Sequence, residues 1–206
     1  REQLEESGNK IYIHPNSFDL NEVIVSANKV ETRRSDLPMQ TLAIGKSQIE
    51  FSNPATMADL MLSTGEISVQ KSQQGGGSPV LRGFEANKVL LVVDGVRMNN
   101  AIYRGGHIQN IITMDPSIIE KTEVIFGPSS VIYGSDALGG VIHFYTKNPK
   151  LSGTDLKKIS GDAMIKYATA NEEKTAQIGF NIGFKNFASY TEASYSDFGD
   201  LRQGAV

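Results

Sequence analysis

The residues able to do covalent or metal chemistry are few and scattered. Histidine occurs three times, at His14, His107 and His143, and cysteine not at all. Spacings this wide hold no His-pair metal motif. Without thiols there is no disulfide framework, thiolate zinc site or cysteine nucleophile. Ser130 and Ser135 lack a His and an acid in any recognisable triad order, and Asp94, Glu120, Glu123 and Asp136 form no acid–base pair. Gln73 to Ser78 has the glycine content of a phosphate cradle. No Lys-Ser/Thr follows it, however, and the next segment is a strand candidate rather than a helix. Neither an enzyme nor a resident metal or cofactor is expected.

Groups suited to recognition are better clustered. Met98 to Gln109 holds Asn99, Asn100, Tyr103, Arg104, His107 and Gln109 around Gly105-Gly106. Arg104 suits an anionic ligand, and His107 carries a nitrogen able to ligate haem iron. The same composition also describes an ordinary solvated loop, in which a lone His is a hydrogen-bonding residue.

The elements that must position these groups are short. Across 206 residues the net charge is −3, which argues against a nucleic-acid partner. The hydrophobic content of 39% is too high for a disordered chain. The longest apolar run, Val89 to Val93, is far short of the roughly 20 residues of a transmembrane helix. The charged N-terminus has no apolar signal core, so the chain is expected to be cytoplasmic or to have lost its signal. Residues 1–20 read as a tail or the end of a preceding domain, and 28–47 as extended linker. A helix is expected from an Asn53 cap with Pro54 in its first turn. Met57, Leu60 and Met61 form its apolar face and Gly65 its stop. Strands are expected over Ile67–Gln70, Pro79–Arg82, Val89–Val93 (buried on both faces), Thr122–Phe126 and Val141–Tyr145, with a turn at Asp94-Gly95 and a short helix near Pro116. Such mixing predicts a compact α+β domain.

After Pro149 the pattern changes. Ser160–Thr169, Lys174–Phe184 and Phe187–Phe198 read as three successive strands, with Lys185-Asn186 as a two-residue turn. In the middle strand Ala176, Ile178, Phe180, Ile182 and Phe184 share one face, and Thr175, Gln177, Gly179, Asn181 and Gly183 the other. Ten-residue strands of this kind suit a membrane β-barrel, and a soluble meander alternates in the same way. Three strands cannot close, so further strands are implied.

Several blocks then coincide in order: Pro79-Val80-Leu81-Arg82-Gly83-Phe84, Val89 to Val96 ending in Asp94-Gly95-Val96, and Ile119 to Gly134 with Phe126-Gly127-Pro128 and Tyr133-Gly134, continuing through Gly139-Gly140-Val141-Ile142. Across roughly residues 22 to 150 the chain resembles the plug domain of TonB-dependent outer-membrane receptors. Glu22-Val23-Ile24-Val25-Ser26-Ala27 looks like the TonB box of that family.

The resemblance implies an α+β plug domain followed by the first antiparallel strands of a transmembrane β-barrel of about 22 strands. The organisation would be 1–20 tail or preceding domain, 21–28 TonB box, 29–150 plug and 151–206 first three barrel strands. The chain would then be a fragment, with roughly 400 or more residues after Val206. The implied function is active uptake of a scarce nutrient such as a siderophore, haem or cobalamin-like ligand. The implied location is the outer membrane, with plug and N-terminus facing the periplasm. Partners would be the C-terminal domain of TonB, outer-membrane lipid and an external ligand such as an iron chelate or haem. Glu22 to Ala27, as a flexible strand with free edges, would pair with TonB. Gln74, Gly75 and Gly76 would lie at the outward apex, with Tyr103, Arg104 and His107 on a second apical loop facing the ligand. Arg82, Gly83, Asp94, Gly95, Gly127, Pro128, Tyr133, Gly134, Gly139 and Gly140 would be architectural. The family often has Arg where Phe126 stands, paired with Arg82 in an ionic latch to the barrel wall, so that latch is expected to be incomplete. A stand-alone soluble α+β binding or signalling module is the alternative.

Overall fold

The computed structural model describes residues 6–7, 10–11, 23–24, 32–33, 36–71, 77–85, 88–98, 111, 114–128, 130–169 and 171–199. Two short antiparallel pairings come first, β1 (Glu6–Ser7) with β2 (Lys10–Ile11) and β3 (Val23–Ile24) with β4 (Thr32–Arg33). The central sheet is built from β5 (Thr41–Gly45), β8 (Val89–Val93), β9 (Val96–Arg97), β10 (Ile119–Phe126) and β11 (Gly140–Thr146). Its order is β5-β10-β11-β8-β9, and only the β11–β8 pair is parallel. β6 (Ser68–Lys71) and β7 (Gly77–Val80) form a separate antiparallel pair. Gly77 and Ser78 lie in β7, so this stretch runs into a strand and not into the helix a phosphate cradle needs, and Gln73 to Gly76 lie outside the described residues.

β8 is buried on both faces. Val89 and Leu91 enter a core with Met57, Leu60, Met61 and Phe144. Leu90 and Val92 enter a second core with Ile125, Tyr133, Ala137 and Val141. The first core is roofed by α1 (Lys46–Ser52) and α2 (Met57–Ser63). Met57, Leu60 and Met61 are fully buried, each contributing roughly 1.5–3 kcal/mol.

The N-cap of α2 is Thr56, not the expected Asn53. Its hydroxyl oxygen accepts from the Asp59 N–H at 3.2 Å. Asn53 instead ends α1 in the left-handed conformation, φ 41 and ψ 54, and its N–H donates to the Ile49 carbonyl. Asparagine serves both roles, and only the packing of two helices separates them. Residues 41–47, expected as linker, are β5 and the start of α1. β5 gains its hydrogen bonds from β10, a partner about 80 positions away that no local signal announces.

The last three strands form their own antiparallel sheet: β12 (Lys158–Ala168), β13 (Glu173–Gly183) and β14 (Ala188–Asp197). Phe184 N–H donates to the Phe187 carbonyl and closes the Lys185-Asn186 turn. Along β13 the burial pattern is inverted relative to a soluble sheet. Glu173, Thr175, Gln177 and Asn181 are buried, whereas Ile178 and Phe180 are exposed. Ile159, Ile165, Tyr167 and Tyr195 add to the same outward face.

Candidate coupling site and plug–wall junction

Of the segment Glu22 to Ala27, Val23 and Ile24 are described; Glu22, Val25, Ser26 and Ala27 lie outside the described residues. One of the two expected free edges is taken by β4. Val23 pairs with Arg33 and Ile24 with Thr32. The Ile24 side chain is wholly buried in the second core against the sheet. A short apolar segment is driven there by the roughly 1.5–3 kcal/mol that burying an Ile yields.

Beside this core the sheet carries a buried polar group. Glu123 is fully buried, 2.5 Å from Lys121 Nζ, and accepts from the Tyr145 hydroxyl at 3.3 Å. His143 stacks on Tyr145, with ring centroids 4.1 Å apart. His143 Nε2 accepts from the Gly95 N–H at 3.1 Å, which fixes a neutral ring protonated on Nδ1. Burial lowers the His143 pKa, against the opposing influence of Glu123 and Asp94. Burial, with Glu123 assisting, raises that of Tyr145. Asp94 accepts from the N–H and the hydroxyl of Thr146, at 2.9 and 2.6 Å. Asp94-Gly95, with φ 47 and 84, forms the tight β8–β9 turn.

The other architectural positions also serve backbone geometry and packing. Arg82-Gly83 turns the chain between Leu81 and Phe84, which exchange two hydrogen bonds of 2.9 Å. The Arg82 guanidinium lies over the Phe126 ring, 5.3 Å from its centroid, and bonds the Gln40 side chain. Phe126 thus gives Arg82 an aromatic support where the family's second Arg would stand. Gly127-Pro128 ends β10, and the Gly127 N–H donates to the Gly139 carbonyl. Tyr133 closes helix α3 (Ser130–Tyr133) on the second core, with Gly134 next. A Cβ at Gly139 would strike Phe84, and one at Gly140 the Ile125 carbonyl.

The strongest polar junction joins the end of the central sheet to the inner face of the three-stranded wall. Lys147 Nζ donates to Tyr190 Oη at 3.2 Å and to Glu192 at 3.1 Å, and lies 3.7 Å from Asp162. Ser117 donates its hydroxyl to Glu192 at 2.9 Å and its N–H to Asp115 at 2.9 Å. Burial alone would raise the Asp115 carboxyl, but hydrogen bonds from Ser117 and Ser194 hold it below its ordinary pKa. Burial likewise opposes charge on Lys147, and the Tyr190 and Glu192 hydrogen bonds outweigh it and raise its pKa. Gly179 makes the room: a Cβ there would lie 2.5 Å from Tyr190 Oη and 3.2 Å from Asp162. Next to this junction, between the α1–α2 turn and the inner face of β12–β13, lies a cavity of about 740 Å³. Sequence reading did not single out Lys147, Glu192, Lys166 or Glu173. For Lys166, Glu173 and Glu192 the available signal was charge inside strands of a sheet too short to close; Lys147, just past β11, carried none.

The residues expected to meet ligand, Gln74, Gly75, Gly76, Tyr103, Arg104 and His107, lie outside the described residues. Among the described residues, no three His, Asp or Glu side chains are placed to hold a metal ion, and no helix is long and apolar enough to cross a membrane.

Comparison with known proteins bears on this arrangement. A family model described as the TonB-dependent receptor plug domain matches residues 33–141. The vitamin B12 transporter BtuB of Vibrio vulnificus (strain CMCP6) is 33% identical over an alignment of 219 positions, gaps included, covering 91% of this chain and 35% of that protein. A hemin receptor of Yersinia pestis is 33% identical over 125, covering 60% of this chain and 18% of that protein. The chain therefore spans about a third of the first curated relative and about a fifth of the second. The solved pyoverdine outer membrane receptor FpvA from Pseudomonas aeruginosa PAO1 superposes with a TM-score of 0.72 at 19% identity, over 85% of this chain and 24% of that one. At that identity the likeness is one of fold.

Proposed function

The chain belongs to the TonB-dependent receptor family, with a plug domain and part of a barrel wall, and on that premise we propose that it serves active uptake of a scarce nutrient across an outer membrane. The observation that carries this reading is the inverted burial of β13, whose polar row faces the plug and whose apolar row faces outward. Lipid outside and a hydrated plug inside make that arrangement favourable. A self-contained soluble module would bury Ile178 and Phe180 and expose Gln177 and Asn181.

In this proposal residues 21–28 couple to the C-terminal domain of TonB in the periplasm, 29–150 form the plug and 151–206 begin the barrel, with 1–20 a tail or the end of a preceding domain. Pairing with TonB requires Val23-Ile24 to leave β4 and the second core. Gln74, Gly75, Gly76, Tyr103, Arg104 and His107 form the ligand face, and the ligand is a siderophore, haem or cobalamin-like molecule. No covalent chemistry is involved. Fractionation of the native source with an antibody against the plug tests the whole reading. A heat-modifiable outer-membrane species several times larger than 22.4 kDa is expected, and a soluble species of 22.4 kDa would overturn it. Alanine at Tyr103, Arg104 and His107 together should weaken ligand binding; unchanged affinity would remove those residues from the site.

A further inference from the structure

The outward face of the wall ends in a rim of different composition. β13 has 11 residues. At about 3.4 Å per residue and a tilt of about 40°, it spans roughly 25–30 Å of membrane, the height of a barrel's apolar band. Ile178 and Phe180 lie inside that height, and Phe184 stands just past its end. There Leu156, Phe184 and Phe187 are exposed, and the two rings lie 6.3 Å apart. Lys157 Nζ sits over the Phe184 ring, 5.6 Å from its centroid. Lys185 bonds Asp155 at 2.8 Å, with 62% and 86% of the two side chains exposed. So open a pair gives way readily to a competing anion. Lys157 and Lys158 are exposed and have no carboxylate partner among the described residues.

The opposite end of the wall has no such excess of cations. Lys174 stands across from Asp197, Glu172 is exposed beside them, and Glu173 is buried against Lys166 at 3.0 Å. The lysine-rich end carries the Lys185-Asn186 turn, closed by the bond from Phe184 N–H to the Phe187 carbonyl. The chain also arrives there from the plug, where Ser152 N–H donates to the Phe184 carbonyl at 3.1 Å. Barrels keep their short turns on the periplasmic side, so this rim lies level with the headgroups of the periplasmic leaflet. A lysine stem can lie along apolar surface while its ammonium reaches a phosphate, and an aromatic face beneath it holds the ammonium at that level.

We propose that this rim is a binding site for an anionic glycerophospholipid of the periplasmic leaflet, with Lys157 and Lys185 on the headgroup phosphate and Leu156 and Phe187 against the upper acyl chain. Lys158 adds charge to the same rim. The inference rests on the transporter reading, which supplies the membrane. It commits to one lipid class at one end of the wall, because the lysine excess is confined to that end.

The test is native mass spectrometry of the intact receptor in detergent, titrated separately with phosphatidylglycerol, phosphatidylcholine and lipid A. The unaltered receptor should hold phosphatidylglycerol more tightly than phosphatidylcholine. Lys157→Gln with Lys185→Gln should weaken phosphatidylglycerol binding roughly tenfold to thirtyfold, as expected for two lysines beside an anionic surface, and leave phosphatidylcholine binding unchanged. Lys174→Gln, at the other end, should leave phosphatidylglycerol binding unchanged. Where the double variant assembles poorly, each single variant is read instead, with a loss of about fivefold. Unchanged phosphatidylglycerol binding in these variants, or an equal loss in Lys174→Gln, would overturn the site. Loss of lipid A binding in place of phosphatidylglycerol binding would put this end in the outer leaflet and also overturn it. A heat-modifiable barrel in either case leaves the transporter reading standing. A protein that forms no heat-modifiable barrel overturns both.

Discussion

Lys147 Nζ lies 3.1 Å from a Glu192 carboxylate oxygen, with 16% and 6% of the two side chains exposed. This pair ties the last strand of the central sheet to a strand of the wall. Removing one partner leaves a buried charge unmatched, which costs about 3–5 kcal/mol, whereas replacing both with apolar groups is far less harmful. Lys147→Met should therefore speed hydrogen exchange along β11, and the double variant Lys147→Met with Glu192→Met should recover most of the protection. Equal exchange in the single variant and the parent would show that the pair holds nothing.

Ile24 separates docking from partner pairing. Ile24→Ala removes buried side-chain volume, worth roughly 2–5 kcal/mol, and should leave the segment more open to protease. Its backbone can still add to a sheet. Ile24→Pro should undock the segment and also lose a ladder donor. Titration with the purified C-terminal domain of TonB should then give binding for Ile24→Ala and loss of it for Ile24→Pro. Retained transport in the proline variant would refute the coupling role.

His143 gives the plug a pH dependence. Its folded pKa is depressed by burial, so below its ordinary value of 6.5 the unfolded chain binds the proton more readily. Stability is then present above about pH 6.5 and falls as pH drops through that value. Protonation also places a second donor against the Gly95 N–H. Amide protection factors at Gly95 and along β11, taken after correction for the slowing of intrinsic exchange as pH falls, should drop between pH 7 and pH 5. His143→Gln should flatten that profile, even if it lowers stability at every pH. A parent profile already flat over the interval would show that His143 does not govern it.

The outward row of β13 should be intolerant of charge. Ile178→Arg near the middle of that strand is expected to cost about 2–4 kcal/mol in lipid and to reduce the heat-modifiable fraction in outer membranes. Gln177→Ala on the inner row should leave insertion intact. Equal insertion of the two variants would argue that this face does not meet lipid.

Much of the plug was legible because its signals are local. The Val89–Val93 run demanded burial on both sides, and the two cores supply it. Asp94-Gly95 and Lys185-Asn186 announced turns through backbone preference alone. The helix over Met57, Leu60 and Met61 followed from spacing. The ligand-facing residues were named from a resemblance, and they lie outside the described residues.

By itself the sequence determined that Lys174–Phe184 is a strand with one apolar and one polar face, because side chains alternate with period two. Which face turns inward was a tertiary decision, since alternation is the same either way round. It was made where Asn181 and the main chain of Lys150 exchange hydrogen bonds of 2.8 and 3.0 Å, and where Lys147 meets Glu192, 45 positions away. It was also a tertiary decision that Asn53 closes one helix rather than opening the next, and that Ile24 sits inside rather than free. Each of these depends on what packs against the residue, and the partner is distant in the chain.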